Sequence, residues 1–169
     1  MALLSMMLPL WALSFNTSGL GHEWKTIVVY GTGVVQGPID EVNKANQFVG
    51  LQVLIPANII ALKLVPLIYV LAAAFIILNG WWLSFKKAAL LYLVLLVSVP
   101  LSIQYWLYGF GHNLSSEAPI ALDPFTPYVI GSYEVATYMI FSYLHLGYFL
   151  LIGIFLSWYL VNRKMAVDR

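Results

Sequence analysis

Residues Leu64–Phe85, LVPLIYVLAAAFIILNGWWLSF, decide the class of this protein, because they form a long apolar run without a charge. About 20 apolar residues in a helix cross the hydrocarbon core of a bilayer. Two further runs of that kind are Ala88–Tyr108 and Tyr138–Val161. The sequence therefore predicts an integral membrane protein that crosses the bilayer several times, with membrane lipid as its solvent.

The composition of the whole chain supports the same class. Of the 169 residues, 62% are hydrophobic and 9% are charged, against about 25% charged in soluble domains. These values exclude a soluble enzyme, a disordered chain and a nucleic-acid-binding protein. The absence of cysteine excludes disulfides, thiolate metal sites and iron–sulfur clusters.

The N-terminal stretch Met1–Phe15 is apolar but short, and we interpret it as a short or tilted first helix, with a signal anchor as the alternative. The predicted fold is then an all-α integral membrane protein with four transmembrane helices in a single membrane domain, residues 1–169. The four predicted helices and the two outer loops have these bounds: helices about 1–15, 57–85, 88–108 and 128–161; loops about 16–56 and 109–127.

The positions of the charged residues predict the orientation. Five basic residues lie beside the predicted spans on one side, which marks the cytoplasm: Lys86, Lys87, Arg163, Lys164 and Arg169. Most of the acids lie toward the other side, and tryptophan and tyrosine flank the spans, with Trp81 and Trp82 before the lysine pair. The protein is therefore expected to have both termini in the cytoplasm and its long first loop outside.

The first outer loop has its own secondary-structure signals. Trp24–Tyr30 is β-branched and aromatic, and the Gly31–Gly33 turn leads to Val34 and Val35, which predicts a small hairpin. Pro38, followed by acids in the next turn, predicts an amphipathic helix over about Ile39–Ile55. The alternative is a strand over Phe48–Ile55.

An ordered outer loop followed by three helices resembles the claudin type in outline, although that family's Trp…Cys…Cys pattern is absent. The composition, rich in isoleucine, valine and tyrosine and free of cysteine, is of an archaeal type. Asn16 and Asn113 each begin an N-glycosylation sequon on the predicted outer side. The sequence therefore predicts a surface-facing membrane protein, with Asn113 the better glycosylation candidate.

His145 is the most prominent candidate for chemistry. In a helix over 128–161 it lies near mid-membrane, where an ionisable residue indicates function, and Glu134, Tyr138 and Phe141 precede it on the same helix face. Such a stripe can line a quinone-head pocket, carry protons or hold a haem at a subunit interface. The alternative is a neutral histidine that bonds across a helix interface, which is a common role for polar residues in membranes.

The remaining polar candidates are on the predicted outer side: His22, Glu23, His112, Glu117 and Asp123. Their spacing shows no pair of close histidines, so we interpret them as solvated loop residues and predict neither a metal site nor a catalytic residue.

Gly153 and Ser157 form a small-xxx-small pair on the last predicted helix, which permits another helix to approach closely. With few ionisable groups and apolar helices, the chain is best interpreted as an accessory or structural subunit of a larger membrane complex, such as a respiratory complex. The alternatives are a redox subunit that binds quinone or haem through the last helix, and a cell-envelope or viral structural protein.

Overall fold

The computed structural model describes residues 2–17, 23–78, 84–135 and 138–167. Its helices are α1 (Ala2–Ser5), α2 (Ile39–Phe48), α3 (Ile60–Leu78), α4 (Phe85–His112) and α5 (Leu146–Val167), with a short 3-10 helix at Pro56–Asn58. Its strands are β1 (Pro9–Thr17), β2 (Lys25–Tyr30), β3 (Val35–Gln36), β4 (Gly131–Val135) and β5 (Tyr138–Leu144).

Five antiparallel strands form one sheet in the order β3-β2-β1-β5-β4, so the prediction of an all-α fold is wrong. The N-terminal strand β1 is central, and it pairs with β2 on one side and β5 on the other. Along β1, Trp11, Leu13 and Phe15 alternate with smaller residues, which gives the strand two distinct faces. In a short apolar run this alternation is hard to tell from a helix.

The predicted first membrane helix over 1–15 is wrong for the same reason. The helical part ends at Ser5, and the strand begins at Pro9. Proline lacks the backbone N–H that a continuing helix needs. The segment gains its hydrogen bonds from two neighbouring strands instead.

The predicted long helix over 128–161 is also wrong in its first half. Residues 131–135 and 138–144 form the hairpin β4–β5, and α5 begins only at Leu146. In β5, Ile140 and Ser142 point to one face of the sheet, and Phe141 and Tyr143 point to the other. The strand also supplies the hydrogen bonds that one edge of β1 requires.

The elements predicted for the first loop are present in shorter form. Strands β2 and β3 form the expected hairpin around the turn at Gly33, whose φ is +80°. Helix α2 begins at Ile39 as predicted but ends at Phe48, and residues 51–55 form no strand. An ion pair between Lys25 and Glu41 joins α2 to the sheet.

Three helices in the described part of the chain are long and apolar enough to cross a membrane: Ile60–Leu78, Phe85–His112 and Leu146–Lys164. Helices α4 and α5 run antiparallel, because the Phe85 ring contacts the Trp158 ring (centroids 5.4 Å apart) while the Tyr148 hydroxyl donates to the Leu96 carbonyl. Lys86, Lys87, Arg163 and Lys164 thus lie at a common end of the bundle, which we call the basic end; Trp81, Trp82, Asp168 and Arg169 are outside the described residues.

The sheet packs at the opposite end, which we call the sheet end. Helix α5 begins opposite the middle of α4, since Leu96 lies about 24 Å before the end of α4 at 1.5 Å per residue. A Cβ at Gly147 would lie 2.7 Å from the Pro9 carbonyl oxygen, so β1 contacts the start of α5 directly. From the start of α5 to the sheet end, the sheet instead of a third long helix packs beside α3 and α4.

Both prolines inside the spans leave a carbonyl without its helical donor. For Pro100 that carbonyl belongs to Leu96, and the Tyr148 hydroxyl donates to it at 2.9 Å. For Pro66 it belongs to Leu62, and the backbone of Gly33 lies so close that a Cβ there would be 2.3 Å from the oxygen. Neighbouring elements therefore pack against both exposed carbonyls, as membrane proteins with kinked helices require.

Candidate functional site

An apolar cavity of about 130 Å³ lies between the sheet, α2 and the sheet end of α3 and α4. One face of the sheet forms its floor, and we call this the inner face. The cavity-lining residues are almost all apolar, and they include Trp11, Leu13, Phe15, Val42, Ala45, Asn46, Ala61, Leu62, Ile103, Trp106, Tyr133, Tyr138 and Ile140.

Strand alternation decides which side chains reach the cavity. The register pairs Trp11 with Leu144 and Phe15 with Ile140, so side chains from neighbouring strands share the inner face. Trp11 is held in place because its indole N–H donates to the Val129 carbonyl oxygen at 2.8 Å. The floor of the cavity is therefore fixed by the sheet register and by one buried hydrogen bond.

Helix α2 covers the cavity, and polar side chains attach the following segment to it. The Asn43 side chain accepts from the Leu54 N–H at 2.6 Å and donates to the Leu54 carbonyl at 3.0 Å. The buried Asn46 side chain donates to the Gln52 carbonyl at 3.1 Å. These bonds leave the apolar side of α2, with Val42 and Ala45, directed at the cavity.

Two phenols are the main polar groups of the floor. Burial raises the pKa of Tyr133 and of Tyr138 above the ordinary value of a phenol. Both side chains are therefore neutral at physiological pH, and they offer hydroxyl groups but no charge to anything inside the cavity.

A groove of about 550 Å³ lies beside the cavity, between residues 52–61 and α4. Five residues line both spaces, namely Leu54, Ile59, Ala61, Trp106 and Phe110. The outer walls of the groove include Tyr105, which is 82% exposed, and Ile60, which is 70% exposed. The groove therefore adjoins the cavity on one side and opens to the surroundings of the spans on the other.

The walls of the cavity are almost entirely apolar side chains. Contact of apolar surface with another apolar group instead of water lowers the free energy. The physical chemistry of the site therefore suits an apolar occupant.

The predicted Glu134–Tyr138–His145 stripe does not exist as a helical face, because all three residues precede α5. Tyr138 lines the cavity. Glu134 pairs with Met139 in the β4–β5 hairpin and is exposed on the other face of the sheet. The structure thus separates the glutamate from the tyrosine by the thickness of the sheet, since neighbouring strand residues point to opposite sides.

His145 lies at the junction of β5 and α5. Its Nδ1 accepts the Leu146 N–H at 2.8 Å, and its carbonyl accepts the N–H groups of Tyr148 and Phe149 at 3.0 and 3.3 Å. Its own N–H donates to the Leu10 carbonyl at 2.9 Å, which ties the start of α5 to β1. These contacts give the residue a structural role as the cap of a helix; a role in binding quinone or haem stays a prediction.

The other candidates lie apart from the cavity. His112 stacks on Tyr108 with ring centroids 4.0 Å apart, and its Nδ1 lies 2.9 Å from the Tyr108 carbonyl. Within the described ranges no group of three or more histidine and acidic residues is placed to hold a metal ion, and Glu23, Glu117 and Asp123 are exposed. His22 is outside the described residues.

The two sequon asparagines differ in their surroundings. Asn113 is exposed at the C-terminal cap of α4. Asn16 is half-buried in the central strand, opposite Met139. Glycosylation stays a prediction for both, and the structure leaves Asn113 the more accessible acceptor.

Sequence reasoning missed the cavity because its floor comes from two stretches interpreted as helices. The signal that could have revealed the floor is the alternation Trp11, Leu13, Phe15 in β1 together with Tyr138, Ile140 in β5. The pairing of these two stretches depends on contacts more than 120 residues apart, which a single sequence does not display.

No protein-family model, no curated protein and no solved structure matches the chain.

Proposed function

We propose that this protein is a non-catalytic subunit of a larger membrane complex and that α5 binds a membrane helix of another subunit. The observation that carries the proposal is the open notch at Gly153: a Cβ placed there would meet no atom within 4 Å. A glycine costs helix stability relative to other residues, and no side chain from the described part of the chain enters the notch. Close approach of a second helix gives the glycine a purpose.

The surroundings of the notch support contact with a partner. Only 17% of the most apolar stretch of α5 is buried within the chain. The exposed residues recur at helical spacing on one side: Leu146, Phe149, Leu150, Gly153, Leu156, Ser157 and Leu160. The Ser157 hydroxyl already donates to the Gly153 carbonyl at 2.8 Å, so a partner helix can cover it without leaving a polar group unpaired.

We also propose an orientation in which the basic end faces the cytoplasm and the sheet end faces the outside. Lys86, Lys87, Arg163 and Lys164 lie at the basic end, and positive charge beside a span favours the cytoplasmic side. The expectation that both termini are cytoplasmic required four spans. In the proposed orientation, the three candidate spans of the described residues instead begin with α3 at the sheet end, on the outer side.

The test is gentle purification of the tagged full chain from membranes, with mass spectrometry of every chain that comes with it. The expected result is a particle that contains other membrane proteins. A Gly153→Leu change fills the notch while improving the intrinsic helix propensity, so the variant is expected to insert normally and to be released as a single chain.

Gly109→Leu is the matched control, because Gly109 is also helical and a Cβ there would meet only the Asn113 side chain, at 3.7 Å. This variant is expected to keep the partners. Wild-type protein that runs alone in mild detergent contradicts the proposal, and so does a Gly153→Leu variant that keeps its partners as well as the control does.

A further inference from the structure

We propose that the groove and the cavity together form a binding site for one hydrocarbon chain of a membrane lipid. In this arrangement the chain enters from the bilayer through the groove, and its end occupies the cavity between the sheet and α2. The site is separate from the proposed subunit contact, because no described residue of α5 lines either space.

The shape of the two spaces favours a narrow flexible chain. The cavity of about 130 Å³ is close in size to an engineered apolar cavity of about 150 Å³ that binds benzene. It is far too small for a helix or a strand of another protein. Its connection to the groove runs past Ala61 and Trp106, which line both spaces, so a linear molecule can occupy both at once.

The chemistry of the walls changes along this path. The cavity is lined by apolar side chains with two neutral phenols and the buried Asn46, whose amide is already bonded. The groove adds the exposed side chains of Gln52 and Asn58. An apolar inner end and a more polar outer end fit the tail of an amphiphile rather than a polar metabolite.

The position of the groove relative to the spans gives a lipid direct access. Ile60, Ala61 and Leu64 line the groove and belong to the first turns of a candidate membrane span. Lys63 is exposed in the same turns, and a lysine at that place extends its charge toward the headgroup region. The groove therefore opens at the depth where hydrocarbon gives way to headgroups.

Photolabelling with a lipid tests the proposal. The full chain is reconstituted in phosphatidylcholine vesicles that contain a small share of phosphatidylcholine with a diazirine at the end of one acyl chain, then irradiated, and labelled residues are mapped by mass spectrometry. We expect label on Val42 of α2 and on Ile140 of the inner face. Both side chains line the cavity and are only partly exposed, so label on them reports a chain inside the cavity rather than one in the bulk bilayer.

Two variants separate the groove from the cavity. Ala61→Phe narrows the shared passage and is expected to abolish the label on Val42 and Ile140. Its control is Ala73→Phe, a half-buried alanine on the same helix that lines neither space, which is expected to keep that label. Ala45→Phe fills the cavity from α2, and we expect it to remove the label from Ile140 while the groove residue Tyr105 stays labelled.

Three results overturn the proposal. One is wild-type label confined to lipid-exposed positions of the spans. Another is label on Val42 and Ile140 that survives both Ala61→Phe and Ala45→Phe. The third is extraction of a stoichiometric molecule other than a lipid from protein purified with its native membrane. Should Ala61→Phe fail to fold by circular dichroism, Ala45→Phe still decides, because it lies outside the spans.

Discussion

Two contacts in this molecule use the same kinds of residues but differ in packing. One joins α4 to α5, and the other joins the sheet to α3 and α4 at the sheet end. Between α4 and α5, the Tyr92 hydroxyl donates to the Leu151 carbonyl and the Tyr148 hydroxyl donates to the Leu96 carbonyl, so each helix bonds the other. Tyr92 also stacks on Phe155, with ring centroids 5.1 Å apart. The space between these helices is filled.

At the sheet end, large side chains meet from three elements and leave the cavity. The inner face of a twisted sheet and the surfaces of two helices differ in shape, and α2 covers the remaining opening from one side only. The two carbonyls that lose a helical donor to proline show the same difference. The Tyr148 hydroxyl donates to the Leu96 carbonyl, whereas the Gly33 backbone lies against the Leu62 carbonyl. In this protein the antiparallel helices α4 and α5 pack closely, whereas the sheet against α3 and α4 leaves room for a ligand.

The largest effect is expected from a substitution at the contact between the sheet and α3. Gly33→Ala places a Cβ 2.3 Å from the Leu62 carbonyl oxygen, at a φ of +80° that side chains rarely adopt. We expect a loss of about 3 kcal/mol in the free energy of unfolding, measured by SDS titration in mixed micelles.

Gly131→Ala is the control for that change. Its φ is +134°, but a Cβ there would meet nothing within 4 Å, so only backbone strain is added. The expected loss is about 1 kcal/mol. Equal losses for the two variants would mean that the close approach of Gly33 to α3 does not matter for stability.

An effect of intermediate size is expected when a larger side chain is placed at the α4–α5 contact rather than at the cavity. Ala88 is fully buried on α4 between Phe85 and Tyr92, which both contact α5, and Ala88→Leu is expected to cost about 1–3 kcal/mol by overpacking. Ala45 lines the cavity, so Ala45→Leu is expected to leave stability unchanged or to raise it. The same titration measures both, and an equal cost for the two changes contradicts the distinction between the two contacts.

The smallest expected effect concerns the hydrogen bond that the Leu96 carbonyl accepts from Tyr148. Tyr148→Phe removes its donor and is expected to cost about 0.6 kcal/mol, the average for hydrogen bonds inside membrane proteins. Pro100→Ala supplies a backbone N–H to the same carbonyl, so the cost of Tyr148→Phe is expected to fall in that background. A double-mutant cycle measures this coupling, and a coupling of zero would show that the hydroxyl does not replace the missing helical donor.

The elements with strong local signals could be predicted from sequence. The turn at Gly33 and the start of α2 after Pro38 rest on glycine and proline backbone preferences, which act within a few residues. The runs at 60–78 and 85–112 are long enough that apolar character alone indicates a span. The cavity had no such signal, since it is built from β1, β5, α2 and two spans that are distant in sequence.

The apolar stretch before α5 shows most directly why the rest escaped prediction. Tyr138–Leu144 and Leu146–Val161 form one apolar run with little charge, and length and hydropathy do not distinguish its two parts. The first part becomes a strand because β1 offers it a partner. The change to helix at His145 is fixed by bonds to Leu10 and Leu146, the first of which is far away along the chain.

The amino-acid sequence was enough to locate two helices that are long and apolar enough to cross a membrane, and to show where the basic residues gather, because hydrophobicity and charge act residue by residue. The position of the N-terminal stretch at the centre of a sheet, and the cavity beside that sheet, became visible only in the folded chain. The physical reason is that an apolar segment in a membrane protein must have its backbone hydrogen bonds satisfied. Whether its own helix or a distant strand satisfies them depends on which partner the folded chain places beside it.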